Sequence, residues 1–375
     1  VVGWVVRWVG GRWGGRQGAA QFHLAKCLEL AFHAGRDPRT GIALYPTGTT
    51  FTDFRNVEEL KQAYKQQISS YLRLYAIADN IVDLAWEELI PTPFVSGLVD
   101  SCIERGRELK KGGAVYDLSA GQTGHIANVA NSIAAVQKLV FEEQKLSKEE
   151  LWHALETDYR GARGEEIRQL LVNRAPKYGN DDDSVDGIAR EIFSHYLSET
   201  GKLKNTRWGK GPIGCTFHPS TASVSYNVPA GDLVGATPDG RKAREPLADV
   251  ESPYRGTEHS GPTAVIKSVS KLEHLLESGG SILNLKFSPS LFQEGRNREI
   301  LVALIRGYFD LKGMEIQIDI VSSETLRKAQ KEPDKYRDLL VRVAGYSAYF
   351  VALDPDVQNS IIARTEHKGF QEEMS

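Results

Sequence analysis

The chain has three cysteines among its 375 residues, Cys27, Cys102 and Cys215, too few and too scattered for a disulfide framework or a zinc site. It lacks a long apolar run: nothing approaches the roughly 18 to 20 residues of a transmembrane helix. The opening residues lack the basic end, apolar middle and small-residue cleavage site of a signal peptide. Charge of one sign is also missing. A formal net charge of −3 offers no basic field for nucleic acid and no cationic face for a membrane. What is present, 41% hydrophobic and 25% charged residues, matches ordinary globular domains. The expectation is a cytoplasmic α/β protein with reduced thiols, partnered by neither nucleic acid nor membrane.

Residues 1–18 stand apart. "VVGWVVRWVGGRWGGRQ" holds three of the six tryptophans and has neither helical nor alternating periodicity. Its residue types share G-rich codons, so it reads as G-rich DNA translated out of frame or as a disordered Gly-rich end. Ordinary sequence resumes near Ala19. The pattern from Ala20 to Ala34 predicts a helix with Phe22, Leu24, Leu28 and Leu30 on a broad buried face, and Cys27 as a small core residue. A long helix follows from Asn56, a candidate N-cap with Glu59 completing a capping box. Pro91 and Pro93 end it, and Cys102 beyond them reads as core.

Several motifs admit a functional and a plainer reading. Gly121 and Gly124, in "YDLSAGQTGH", form a turn that can cradle an anion or simply permit close helix packing. The aspartates from Asp181 to Asp186 resemble a calcium loop, but Val185 falls where an alternating ligand is needed. They read better as helix N-terminal charge, with Asp183 or Ser184 as cap. Ser147 and Glu150 form a capping box. Cys215 and His218 lie three apart, as a thiol and its base could, yet no third orienting group accompanies them. The centre is loop-rich, with "ASVSYNV" as a short strand among Pro-Ala-Gly and Pro-Asp-Gly turns. Thereafter "GPTAVIKSVSKL" (helix), "SILNLKF" (strand), "REILVALIRGYFDL" (helix), "EIQIDIV" (strand) and "SSETLRKAQK" (helix) alternate, which predicts parallel pairing.

The last stretch places Gly345 inside "RVAGYSAYF", where glycine weakens a strand and marks a turn, bulge or close approach. That run, with Gln358 and then "IIART" ending at Arg364 and Thr365, resembles the C-terminal signature of glycyl radical enzymes. Segments in the same order resemble the family too: "FHLAKCLELAF", "VGATPDGRKAREPLAD", "GPTAVIKSVSKL" and "EIQIDIVSSETLRKAQKEPDKYRDLLVRVAGYS". The resemblance implies that Gly345 stores a Cα radical. Its spin is shared between the flanking amide groups, which requires a planar carbon that no side chain crowds. Packing by Val343, Ala344, Tyr346 and Phe350 would shield it.

The resemblance further implies that no cofactor or metal is bound. The radical is installed by a radical-SAM activating enzyme; it passes its spin to a cysteine, whose thiyl radical takes a hydrogen atom from a small-molecule substrate. The family's cysteine loop precedes the helix matched by "FHLAKCLELAF", and no cysteine stands there, so none is assigned and the chain alone is expected to be inactive. Asp319 departs from the family's pattern, which has Asn at that point of the strand. Family members are considerably longer, so the chain reads as the C-terminal portion of a ten-stranded α/β barrel, dimeric when whole. Its expected organisation is residues 1–18 atypical, 19–250 part of the barrel and 251–375 the glycine radical domain. Unpaired strand edges and exposed apolar surface should follow. The expected chemistry is radical C–O or C–C cleavage of the dehydratase or decarboxylase kind. The alternatives are pyruvate formate-lyase-like acyl transfer and a non-catalytic radical-bearing fragment.

Overall fold

The computed structural model describes residues 21–221, 225–293 and 295–370; the unusual opening segment lies outside them. Two parallel sheets of three strands each organise these residues. In the first, β1 (Gln21–Phe22), β2 (Tyr116–Thr123) and β3 (Ile213–Thr221) lie in that order. In the second, β4 (Leu283–Phe287) runs between β5 (Ile316–Ile320) and β8 (Glu366–His367). A separate antiparallel hairpin joins β6 (Leu340–Arg342) to β7 (Ser347–Tyr349). The α/β alternation and the parallel pairing are as expected. The ten-stranded barrel is not: among the described residues the sheets are small and open.

Helices cover the first sheet. Helix α1 (Leu24–Phe32) packs against α2 (Val57–Leu89) and α3 (Ile126–Val136), which in turn meets α6 (Asp183–Gly201). α4 (Lys148–Glu156) and α5 (Gly161–Arg174) lie between α3 and α6 in the chain. Gln21 and Phe22, read as the first helical turn, instead extend as an edge strand along Gln122 and Thr123. Cys27 is buried in α1, as its pattern suggested. Among the described residues no helix is long and apolar enough to cross a membrane. Large apolar side chains are exposed at Ile77, Ile81, Leu89 and Phe94, from the second half of α2 onward.

Local capping follows the sequence closely, with two changes. Ser147 and Glu150 form the capping box of α4. Asn56 caps α2 by accepting from the Glu59 amide at 3.0 Å, but the Glu59 carboxylate reaches back to Arg55 N–H (2.9 Å), so the box is not closed. For α6 the cap is Asp182, which accepts from Ser184 N–H at 2.9 Å. Asp181, Asp183 and Asp186 instead share Lys271, the residue just past the neighbouring helix α7 (Gly261–Ser270). Gly121 lies inside β2, not in a turn; a Cβ there would sit 2.4 Å from Thr200 Cγ2, so close packing against α6 explains it. The described part of "ASVSYNV" is a turn leading into a short helix, Asn227–Asp232, and the strand is the segment just before it.

Three buried histidines, His125, His218 and His367, and the half-buried His23 are held neutral. Burial lowers His23 to about 3 and His125, His218 and His367 to about 4. An unfolded chain takes up protons at these rings near pH 6.5, whereas the folded chain does not until nearer pH 4. Their contribution is therefore complete above pH 6.5 and lost as pH falls toward 4, on the order of 3 kcal/mol per ring. Asp117, raised to about 6 by burial, opposes this, as do other carboxyls that burial raises, Asp186 and Asp319 among them. The expected result is cooperative acid unfolding between pH 6 and 4, read by circular dichroism; a chain equally stable at pH 7 and 4.5 would contradict it.

Candidate functional site

Gly345 sits at the tip of the β6–β7 hairpin. The register pairs Arg342 with Ser347, and Val343 N–H donates to the Tyr346 carbonyl at 2.9 Å, which leaves Ala344 and Gly345 as a two-residue turn. Gly345 has φ of 86°, the left-handed region that the second turn position of a type II turn requires. Local geometry alone therefore selects glycine here. The flanking side chains point inward: Val343, Ala344 and Phe350 are buried, while Gly345 and Tyr346 are half-buried and Ser347 is exposed. Val341, Val343 and Phe350 form a compact cluster with Leu326 and Ala329 of α9 (Ser323–Lys331) and Ile361 and Ile362 of α10 (Pro355–Ile362).

Polar groups from four other segments fix the turn. Gln317 on β5 accepts from Gly345 N–H at 3.0 Å and from Arg342 Nε at 2.8 Å. Its own amide donates to Glu315 at 2.6 Å, which sets the orientation of the carbonyl oxygen. Arg364 donates to the Arg342 carbonyl at 2.8 Å and to that of Val343, so one guanidinium grips both residues leading into the turn. Two carboxylates hold that guanidinium: Asp249 at 2.7 Å and Asp319 at 3.4 Å. Asp249 in turn accepts from Asn284 on β4.

Asp319, the departure noted in the sequence, thus has definite work. Its Oδ1 accepts from Arg342 N–H at 2.7 Å while Oδ2 faces Arg364. Burial pushes its carboxyl up, against the hydrogen bond from Arg342 and the charge of Arg364.

The residues after Arg364 bolt the terminus to the second sheet. Thr365 donates to Glu258 and accepts from Gly256 N–H. Glu366 accepts from Ser323 N–H at 2.7 Å. His367 pairs in register with Phe287, their rings 5.5 Å apart. Lys286, fully buried beneath, donates to Ser323 and the Ile362 carbonyl and is lowered to about 8 by burial. Between these groups lies a cleft of about 30 Å³, lined by Asp249, Asn284, Arg364 and His367 among others. That is space for water, not for a substrate. A roomier cleft of about 220 Å³, lined by Glu29, His33, Trp152 and Ala243, shares no residue with the turn or its clamp.

The three cysteines do not join this site. All are buried, burial raises each thiol, and none belongs to the cluster around the turn. Cys215 sits at a bulge between β2 and β3 and donates to the Pro212 carbonyl at 3.4 Å, which supports a structural thiol and not a Cys215–His218 pair. The "TPDGR" run is a buried lock. Asp239 accepts from Thr237, from Arg241 N–H and from Asn128 of α3, and Arg241 donates to the carbonyls of Val234, Gly235 and Glu245. Sequence reasoning named Gly345, Arg364 and Asp319 but missed Gln317 and Asp249, which carry no local signal of their own.

Comparisons with known proteins agree with the motifs. A model described as pyruvate formate lyase-like matches residues 6–231, and one described as glycine radical matches residues 247–351. A probable dehydratase of Escherichia coli (strain K12) is 45% identical over 98% of this chain and 46% of that protein. Trans-4-hydroxy-L-proline dehydratase of Clostridioides difficile is 34% identical over 92% of this chain and 42% of that protein. Among solved structures, the glycerol-bound B12-independent glycerol dehydratase of Clostridium butyricum superposes with a TM-score of 0.90 at 44% identity, over 96% of this chain and 44% of that one. The expectation of a C-terminal portion alone is corrected by the two matches, which together run through nearly the whole chain and include the segment ahead of the glycine radical match. The chain spans about half the length of the curated relatives it matches.

Proposed function

Since the chain belongs to the pyruvate formate lyase-like, glycine-radical-bearing family, we propose that Gly345 is its radical carrier and that the radical serves a dehydratase-type cleavage of a small polar molecule. The observation that carries this reading is the turn itself. A glycine at φ 86° is held at its N–H by Gln317, and the carbonyls of Arg342 and Val343, which lead into the turn, are clamped by Arg364. Loss of a Cα hydrogen leaves a planar carbon that needs both flanking peptides held still. The fixed amide at 345 restrains the peptide before that carbon, and the Arg364 clamp holds the strand that leads into it. The buried Val343, Ala344 and Phe350 cover one side of the turn from water.

The substrate class comes from the relatives, several of which are dehydratases by name. Installation of the radical falls to a separate radical-SAM activating enzyme, the partner this reading requires. The thiol that would receive the radical is none of Cys27, Cys102 or Cys215, and the 375-residue chain alone is expected to turn over no substrate.

The test is anaerobic incubation with such an activating enzyme, read by electron paramagnetic resonance. A glycyl signal should appear, and later admission of oxygen should cut the backbone at Gly345 and release residues 346–375. No signal under conditions that activate a family member, or an intact chain after oxygen, would remove Gly345 from the role.

A further inference from the structure

A second buried polar cluster lies apart from the turn, where the end of β3 meets the start of β4. Thr221 N–H donates to the Gly280 carbonyl (3.0 Å), Ile282 N–H to the Thr221 hydroxyl (3.3 Å) and Glu251 N–H to the Ile282 carbonyl (3.3 Å). These bonds stitch the two sheets together. Against the seam stand Glu251, His274 and Glu277, with relative exposures of 0%, 4% and 0%. One ligand atom from each lies within 4.8 Å of the others.

His274 Nδ1 is 3.2 Å from the Lys312 carbonyl, an acceptor only, so Nδ1 carries the proton and Nε2 is the nitrogen turned to the carboxylates, 3.0 Å from Glu251 Oε2. That is the orientation of a metal-binding histidine whose other ring nitrogen rests on a backbone carbonyl. The carboxylates are undersupplied with donors. Glu251 Oε1 and both oxygens of Glu277 make no hydrogen bond of ordinary geometry among the described residues, although Glu277 lies beside Thr221 and Glu251. Two adjacent carboxylates in a dry interior repel, and each charged acceptor left there without a partner is costly.

We propose that Glu251, His274 and Glu277 bind one divalent transition-metal cation that pins the seam between the two sheets. The charges balance: two carboxylates and a neutral imidazole meet an ion of charge +2, which takes up the orphan oxygens and the Nε2 lone pair together. Imidazole and carboxylate donors without thiolate suit Zn²⁺ or Mn²⁺. The cluster is closed and buried, so the ion is structural and takes no part in the chemistry of Gly345.

The test uses the 375-residue chain, stripped by chelator and titrated with Mn²⁺ alone. Binding is read from loss of the free aqua-ion signal in electron paramagnetic resonance, and Zn²⁺ is added as competitor. One Mn²⁺ per chain should bind, Zn²⁺ should displace it, and the Zn²⁺ form should melt higher than the stripped form. Glu251→Gln should weaken binding by at least about 100-fold. Asp183→Asn, a change at the exposed aspartate group near Lys271, should leave binding intact. Absence of binding by the unaltered chain overturns the proposal, since this result needs no variant to fold. So does equal melting with and without Zn²⁺, or binding abolished by Asp183→Asn and untouched by Glu251→Gln. A stripped chain that binds no ion and shows the infrared carbonyl band of a protonated carboxyl would assign the cluster to a shared proton instead.

Discussion

Replacing Gly345 with Ala is expected to eliminate the glycyl resonance completely while lowering stability by only about 1 kcal/mol. The stability cost comes from φ of 86°, where a Cβ meets its own backbone at roughly 1–2 kcal/mol. Part is returned because alanine restricts the unfolded chain, by about 0.4–1 kcal/mol. The hairpin register, Gln317 and the Arg364 clamp do not involve a side chain at 345, so the turn should persist. The radical has no such tolerance. A methyl group on a planar Cα crowds both adjacent peptides in a turn whose neighbours Val343 and Ala344 are already buried. Two measurements separate these effects. Thermal unfolding should shift by a few degrees, while the resonance and the oxygen-dependent cut at 345 should both vanish. A persistent resonance would place the unpaired electron on another residue.

Much of the framework was legible because it is locally encoded. The start of α2 at Asn56, the Ser147–Glu150 box, and the alternation that gives β4, α8 (Gly295–Asp310), β5 and α9 all depend on residues within one or two turns of each other. The errors fall where the deciding partner is distant. Gln21–Phe22 becomes a strand only because Gln122 and Thr123 lie alongside it, and Glu366–His367 because β4 does. The cap of α6 was expected at Asp183 or Ser184 and falls on Asp182, because all three are chemically competent caps and the extended backbone ends at Asp182. Barrel closure was inferred from resemblance, and no local pattern could have tested it.

The candidate site divides the same way. Gly345 and Arg364 were visible as members of one motif, whereas Gln317 lies 28 residues from Gly345 and Asp249 lies 115 residues from the Arg364 that it holds. Glu251 and His274, 23 residues apart, were invisible for that reason too.

Arg207→Met should cost about 3–5 kcal/mol, a large share of the roughly 5–15 kcal/mol that holds a domain folded. Arg207 is 1% exposed and lies between two buried carboxylates, Asp83 of α2 and Asp117 of β2, with the Asp117 pair at 2.6 Å. Its neighbours complete the network. Asn205 donates to Asp117 at 2.8 Å and accepts from Arg207 N–H, and Thr206 donates to Asp83 at 3.1 Å. The ion pairs therefore fasten the long helix to the central strand of the first sheet. Burial already raises Asp117 to about 6 even with the Arg207 charge opposing it. Without the guanidinium, two carboxylates remain in the interior with no cation, and Asp117 must rise further.

The sign with pH follows. In the variant the folded chain holds a proton on Asp117 that the unfolded chain has released above about pH 4, so the variant loses stability as pH rises through that range. The deficit should be largest near pH 7 and shrink toward pH 5, in urea unfolding at both values. Removing the carboxylates as well, with Asp83→Leu and Asp117→Leu added to Arg207→Met, should recover most of the loss, because the penalty lies in the stranded charges and not in the absence of attraction. A single variant that lost under 1 kcal/mol at pH 7 would mean that water reaches the pair and screens it, and the helix would then be held by packing alone.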